Sequence, residues 1–343
     1  MTTAQRRRWL ALVAAVCAAI GVVLGSPASV AYPVTAPAPG DPEGGTPTLR
    51  SQLEAAASGY IEAKARYDSS KALEAQLAAK MTATKLHLDL LTEQVGQVAA
   101  LSYRTGRLGT MTALLEAGSP DAFLDRVVRV ETLALHDDAL LNQLRTTRRE
   151  LAQQQDRMYA ELRVQTDQVN LMEKKKKDAE KALAAAGGGR VAGGYIAPSS
   201  PSAKPAPRNP DGSWPRESCI VDDPTTTGCM TPRLLHAYQQ TKAAGFNHYV
   251  SCFRSGGSGE HPKGRACDWA AAVSGFGGVA SGAERDYGNR LASYYLGNAD
   301  RLGVMYVIWF RQIWMPGLGW RTYNSGGGDP ASDHTNHVHL SVY

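Results

Sequence analysis

Between about Leu49 and Ala186 the chain reads Ala, Leu, Gln, Lys and Glu, with no proline before Pro120. Apolar or tolerant residues recur there at alternating spacings of three and four. Met81, Thr84, Leu88, Leu91, Val95 and Val98 form one seam. Val127, Val130, Ala134, Leu141, Leu144, Leu151, Met158, Leu162 and Val169 form a second, with polar interruptions. This is coiled-coil periodicity, and a chain carrying it can do little but form long helices that pair along those seams. Gly106, Gly109 and the run Gly118-Ser119-Pro120-Asp121 lie between the seams. Ser119 can cap the second helix and Pro120 suits its first turn. The pattern predicts an antiparallel hairpin over 49–186, with helices of roughly 50 and 60 residues and a short helical tip around Met111 to Ala117. At ~1.5 Å per residue it reaches about 80 Å or more.

The flanks differ in texture. Arg6, Arg7 and Arg8 precede an apolar run from Leu10 to Leu24, and Ser29-Val30-Ala31 offers small residues for cleavage before Tyr32. Residues 1–31 read as a secretory signal peptide, with an uncleaved anchor as the alternative. Either way the remainder crosses a membrane and is expected outside the cell. Cys17 lies inside the apolar run, and Val16 before it fits a lipoprotein signal poorly. Residues 32–48 are rich in Pro, Gly, Ala and Thr and read as a flexible leader. Gly187-Gly188-Gly189 ends the second helix, and six prolines punctuate the chain from Pro198 to Pro215. Residues 187–213 therefore read as a mobile, semi-extended linker, and 214–343 as a globular domain. Lys174 to Lys177 reads as a solvated helix face near a C-terminus, with a wall- or lipid-binding patch as the sharper alternative.

Four of the five cysteines, Cys219, Cys229, Cys252 and Cys267, fall in the last third. An even number in an exported chain suggests two disulfides, for which three pairings exist. Cys219–Cys229 and Cys252–Cys267 close the shortest loops. A four-cysteine zinc site is the competing reading, though paired C-x-x-C knuckles are lacking. The net charge of +5 over 343 residues suits a polyanionic cell wall and is too weak to argue for nucleic acid, for which no motif is present.

Two histidine-bearing clusters carry the chemistry. The first reads Ser258-Gly259-Glu260-His261-Pro262-Lys263-Gly264-Arg265-Ala266-Cys267-Asp268, and the second Asp333-His334-Thr335-Asn336-His337-Val338-His339-Leu340-Ser341-Val342. In the second, Val338, Leu340 and Val342 alternate with His337, His339 and Ser341, the period of a half-buried strand. Both histidines then share a face. In the first, Gly264 permits a tight turn between His261 and the Ala266–Trp269 segment. Imidazole and carboxylate are good zinc ligands, and a catalytic zinc takes three of them plus an open position. His261, Asp268 and one histidine of the last strand can supply that set. Bulky Trp269, Trp309, Trp314 and Trp320 read first as core, with Trp314 and Trp320 the better candidates to line a cleft.

Ser-x-x-His-x-x-Gly-x-Ala-x-Asp followed by His-x-x-His-x-His resembles the signature of the zinc D,D-peptidase superfamily. That group holds D-alanyl-D-alanine carboxypeptidases and dipeptidases, murein endopeptidases and the hedgehog signalling domain. The resemblance covers roughly Cys219 to Tyr343. Gly303–Trp309, Arg311–Trp314 and Gly319–Arg321 resemble in addition a branch of secreted actinobacterial proteins. The resemblance implies zinc ligands His261, Asp268 and His339. It implies His337 as general base or transition-state stabiliser, and Arg254 as a contact to substrate or oxyanion. Two departures stand out. The segment from Arg254 to His261 is short, and the usual Glu-x-x-His is absent, so His334 or Asp333 must cover that role.

Tyr103-Arg104-Thr105-Gly106, Leu114-Leu115 and Ser119 to Arg126 resemble coiled coils found ahead of secreted cell-wall hydrolases. That implies docking on membrane division or elongation machinery, or self-contact, and restraint of the hydrolase. The expected whole is a long α-helical hairpin followed by an α+β domain with a small antiparallel sheet carrying Zn2+, hydrolysing amides of peptidoglycan stem peptides or cross-links. Two rivals stand beside it. One is a zinc-holding module that only binds wall or partner. The other is a glycoside hydrolase using carboxylates such as Glu260 and Asp333.

Overall fold

The computed structural model describes residues 44–195, 200–324 and 327–343. The predicted signal peptide and most of the leader lie outside the described residues. No helix among the described residues is long and apolar enough to cross a membrane.

Two helices, α1 (Pro47–Leu115) and α2 (Pro120–Ala185), pair along their length. Each begins as its sequence dictates. Thr46 Oγ1 accepts from the Leu49 amide ahead of Pro47, and Ser119 Oγ accepts from the Ala122 amide ahead of Pro120. Both helices are longer than the expected 50 and 60 residues, at 69 and 66. Gly106 does not end α1: it takes φ 63°, ψ 178°, and the helix resumes beyond it up to Leu115.

The first seam packs as read, with Leu91 buried and Met81, Thr84, Leu88, Val95 and Val98 half-buried. The second holds at Leu144, which is buried, and at Val127, Val130, Leu151 and Met158, which are half-buried. It drifts off phase elsewhere: Leu141, Leu162 and Val169 face solvent, while Thr147 and Gln165 are buried. Polar groups in this seam bond across it. Gln154 Nε2 donates to Thr84 Oγ1 at 3.0 Å, Gln165 Nε2 to Glu74 Oε2 at 2.9 Å, and Ser70 Oγ to Glu161 Oε2 at 2.7 Å. Specific hydrogen bonds thus replace part of the apolar seam and hold its register.

The remainder is an α+β domain. A small ribbon, β1 (Val221–Asp222) with β2 (Cys229–Met230), precedes α3 (Pro232–Ala243). The main sheet comprises β3 (Val250–Ser251), β4 (Ala266–Ala270), β5 (Val304–Trp309), β6 (Gln312–Met315), β7 (Gly319–Thr322) and β8 (His337–Val342). Its order is β3-β4-β8-β5-β6-β7, antiparallel throughout. Helices α4 (Gly282–Gly297) and α5 (Ala299–Leu302) lie between β4 and β5 in sequence.

Period-two alternation sorts the side chains to two faces. Cys267, Trp269, Val307, Trp309, Val338, Leu340 and Val342 face α3 and α4. Trp309 lies so close to Gly288 that a Cβ there would meet its ring at 2.3 Å, which ties α4 to β5. The other face carries Tyr306, Ile308, Ile313 and Met315, and onto it pack Leu49, Leu53, Ala56, Ala57, Ile61, Ala179, Ala182 and Leu183 from the root of the hairpin. A register shift between Val304 and Tyr306 is what a bulge produces: it sends Val304 to the α4 side and Met305 to the hairpin side. The disulfides are Cys219–Cys229 and Cys252–Cys267, the shortest-loop pairing, and they fit an oxidising compartment.

The Gly/Pro-rich stretch departs from expectation. Its described residues are tied to the domain rather than free. Gly189 and Ala192 donate to the carbonyls of Thr322 and Trp320, and Val191 bridges Arg321. Ala203 and Ala206 are buried, and their amides donate to Asn298 Oδ1 and the Arg301 carbonyl. Proline and glycine content reports low intrinsic order; it does not report an edge strand and buried acceptors waiting nearby.

Candidate metal centre

The last strand places the centre. In the β4–β8 register Asp268 stands opposite His339, Ala270 opposite His337 and Ala266 opposite Ser341. Directly opposed residues share a face at close range. Asp268, His337, His339 and Ser341 therefore form one polar patch on the hairpin side of the sheet. His261 reaches it from a 3₁₀ turn, His261–Lys263, which Gly264 ends in the left-handed region at φ 66°. A Cβ there would meet Cys219 Sγ at 2.4 Å and Met230 Cα at 2.8 Å, so this turn demands glycine on both counts.

Ligand atoms from His261, Asp268 and His339 all lie within 4.8 Å of one another, and the three residues are buried. His261 Nε2 is 3.2 Å from Asp268 Oδ2 and 3.3 Å from His339 Nδ1, and His339 Nδ1 is 2.8 Å from Asp268 Oδ1. The far nitrogen of each ring is engaged: His261 Nδ1 with the Cys252 carbonyl, His339 Nε2 with Ser341 Oγ at 2.8 Å. These partners leave Nε2 of His261 and Nδ1 of His339 aimed inward, the outer-shell arrangement that orients metal ligands. Burial alone would raise the Asp268 carboxyl. The charges of His261 and His337, with hydrogen bonds from His261 and His339, outweigh it and hold this carboxyl well below the usual range.

His337 stands beside the group. Its Nδ1 is 2.7 Å from Asn336 Oδ1, which can only accept, so Nδ1 carries the proton. Its Nε2 has no hydrogen-bond partner and lies 3.5 Å from Asp268 Oδ1. Burial pushes the ring pKa down to about 4, against the pull of Asp268. His334 is packed 4.8 Å from the His337 ring and 5.7 Å from His339. Its backbone is left-handed, φ 52°, held by bonds from the Phe310 and Arg311 amides to the carbonyls of His334 and Asp333. Its Nε2 also lacks a hydrogen-bond partner, and burial, then the neighbouring His337 and His339, push its pKa well down.

Two expected site residues sit differently. Asp333 is held by Arg311, with Nε and Nη2 at 2.9 and 2.5 Å from Oδ2. Arg254 puts Nη1 2.9 Å from Asp268 Oδ2, so it touches the ligand set itself. Glu260 pairs with Arg265 and Lys263. Trp269 and Trp309 are fully buried core, while Trp314 and Trp320 are half-buried against it.

Several contributors escaped the sequence reading. Ser341 follows His339 by two and was open to the same alternation argument. Tyr306, whose ring stacks on His339 at 5.6 Å and 11°, sits in a strand with no polar pattern to mark it. Asn336 and the Cys252 carbonyl carry no signal at all.

The fold and centre together define a class: an α+β domain whose antiparallel sheet carries a buried His–Asp–His group able to hold a metal ion. Residues 226–337 match the family model of the VldE C-terminal domain. The matched span includes His261, Asp268, His334 and His337 and stops short of His339. No curated protein and no solved structure matches the chain.

Proposed function

We propose that residues 214–343 form an exported zinc peptidase that hydrolyses amide bonds in peptidoglycan stem peptides or cross-links. The observation that carries this reading is the convergence of one carboxylate and two imidazoles within 4.8 Å from two paired strands and a 3₁₀ turn, each backed by its own hydrogen-bond partner. A nitrogen–oxygen–nitrogen donor set is the kind that binds catalytic zinc. The orphaned, buried Nε2 atoms of His334 and His337 fit a site built around a further polar occupant. A bound zinc would polarise the scissile carbonyl and bring the pKa of a water toward ~7. His337 accepts a proton at Nε2, its tautomer set by Asn336. His334 orients the polar face beside it, and Arg254 steadies the Asp268 carboxylate. The motif resemblance to zinc D,D-peptidases points to the same substrate class, and the two disulfides agree with export.

A second reading, a zinc-holding module that binds wall without cutting it, draws on one observation. Asp333 is engaged by Arg311, leaving His334 alone where a free carboxylate is usual. The glycosidase reading weakens further, because Glu260 and Asp333 both sit in ion pairs.

The test uses the mature chain, loaded with zinc and incubated with soluble muropeptides, with and without chelator. The expected product gains the mass of water at a peptide bond, and chelator abolishes it. About one equivalent of zinc should be present, and His261→Ala and His339→Ala should each lose it. An intact substrate with one equivalent bound would favour the binding module, and full zinc occupancy in both variants would overturn the ligand assignment.

A further inference from the structure

The centre lies on the face of the sheet that the hairpin root covers, and the four histidines at it are almost without exposure: His261, His334 and His339 at 0% and His337 at 2%. Two rings form the layer between root and centre. Tyr306 stacks on His339, and Tyr323 stands edge-on to His334 at 6.2 Å. Arg50 and Leu53 of α1 close over those same two tyrosines, leaving a void of about 10 Å³, which has room for about one water.

The first turns of α1 are fastened there by polar contacts. Arg50 Nη2 donates to Ser258 Oγ at 2.6 Å, and its Nη1 to the Gly44 and Gly45 carbonyls at 2.7 and 3.2 Å. Tyr323 Oη donates to the Gly44 carbonyl at 3.1 Å. Glu54 pairs with Lys263 at 2.5 Å and with Arg265. Lys263 belongs to the turn that bears His261. Burial works against the Glu54 carboxylate, but hydrogen bonds from Lys263 and Arg265 prevail and lower its pKa.

We propose that residues 44–54 are an intramolecular seal over the metal centre, so that the chain as folded is the closed state. Opening lifts these first two turns of α1 while the apolar packing from Ala56 onward holds. The device is suited to that. The Glu54 ion pairs are partly exposed, the low-stability kind that opens locally, and lifting the segment also withdraws Leu49 and Leu53 from the core they share with Ala56, Ala57 and Ile61. A stem peptide cannot reach atoms covered by two rings and a helix, so the seal gates substrate access. This last step rests on the peptidase reading; the occlusion itself does not.

The experiment reads access directly. The mature chain is treated with diethyl pyrocarbonate, and carbethoxylation of the peptide bearing His334, His337 and His339 is followed by mass spectrometry. Exposed His87 and His136 on the hairpin are internal controls. In the unaltered chain the centre is expected to label at least ~10-fold more slowly than the controls, as a locally opening segment requires. Glu54→Arg, which sets a cation against Lys263 and Arg265, should raise the centre's rate about 10-fold with the controls unchanged. Glu54→Gln, which keeps the side chain's shape, should give a smaller rise and guards against a misfolded arginine variant. Labelling of the unaltered centre at the control rate would overturn the seal. So would slow labelling that neither substitution changes, since the domain alone would then bury the histidines. Faster labelling in an opened, zinc-loaded variant that still cuts no muropeptide would leave the seal standing and sink the peptidase reading.

Discussion

His337 and His339 are two residues apart on one face of one strand, yet their surroundings give them different work. His339 has both ring nitrogens engaged, one inward with Asp268 and one with Ser341. His337 has only Nδ1 engaged, by Asn336. His337→Ala should therefore keep its zinc and lose turnover by the ~10²–10⁴-fold typical of a missing acid–base group. Metal analysis and muropeptide kinetics on one preparation decide this; joint loss of metal and activity would mean the roles are shared. Acid acts on the same residue. Burial holds His337 at about 4 from an ordinary 6.5, and His334 is pushed in the same direction. Between these values the unfolded chain binds more protons than the folded one. The stabilisation is complete above pH 6.5 and is lost as pH falls through about 4. Melts of the metal-free chain should show Tm falling from pH 7 to pH 4, less steeply in His337→Gln, and a level Tm across that range would contradict the buried neutral ring.

At the scale of elements, the hairpin shows what a periodic reading can and cannot give. The Ser119–Pro120 cap, the first seam and the helix pairing were all legible, because capping and 3–4 spacing are local properties. The phase of the second seam was not. Leu141 and Leu162 looked like seam residues from spacing, but Thr147, Gln154 and Gln165 occupy it, and the side-chain amides of Gln154 and Gln165 donate to Thr84 and Glu74 on α1. That makes a prediction. Thr84→Leu with Gln154→Leu removes both members of one half-buried hydrogen bond and restores an apolar contact, which should stabilise the hairpin by about 1 kcal/mol. Thermal unfolding of the double variant checks it, and a lower Tm would show that the polar pair specifies register that leucines do not. In the sheet, the His-x-His strand was legible from alternation, whereas the bulge near Met305 was not, since Val304 through Trp309 is apolar throughout.

At the scale of the molecule, hairpin and domain share one core. Met305, Ile308, Ile313, Met315 and Leu318 pack against Leu49, Leu53, Ala57 and Leu183. Tyr60 also sits where a Cβ on Gly317 would meet its ring at 2.3 Å. The domain cut out as 214–343 would bare this apolar face, a patch of the size that drives association. It should be poorly soluble or bind a hydrophobic dye strongly, and adding separately purified hairpin should relieve this. A soluble, monomeric, dye-silent fragment would show that the shared core is dispensable. Comparing activities of fragment and mature chain is informative only after that check.

What the sequence determined by itself was whatever short spacing controls: two long helices, a two-residue strand alternation that put His337 and His339 on one face, a glycine turn after His261, and donor types suited to a metal. What only the tertiary structure decided were relations between residues far apart in the chain. Asp268 faces His339 because β4 and β8 pair in one register out of several that alternation allows. Arg311 takes Asp333 because a turn at Phe310–Arg311 lies under His334. Arg50 and Glu54 close on the centre because the hairpin root and the histidines share one side of the sheet. None of these leaves a local trace, because a hydrogen bond or ion pair between residues distant in the chain constrains each partner's type only weakly. It constrains their positions fully once the backbone has brought them together.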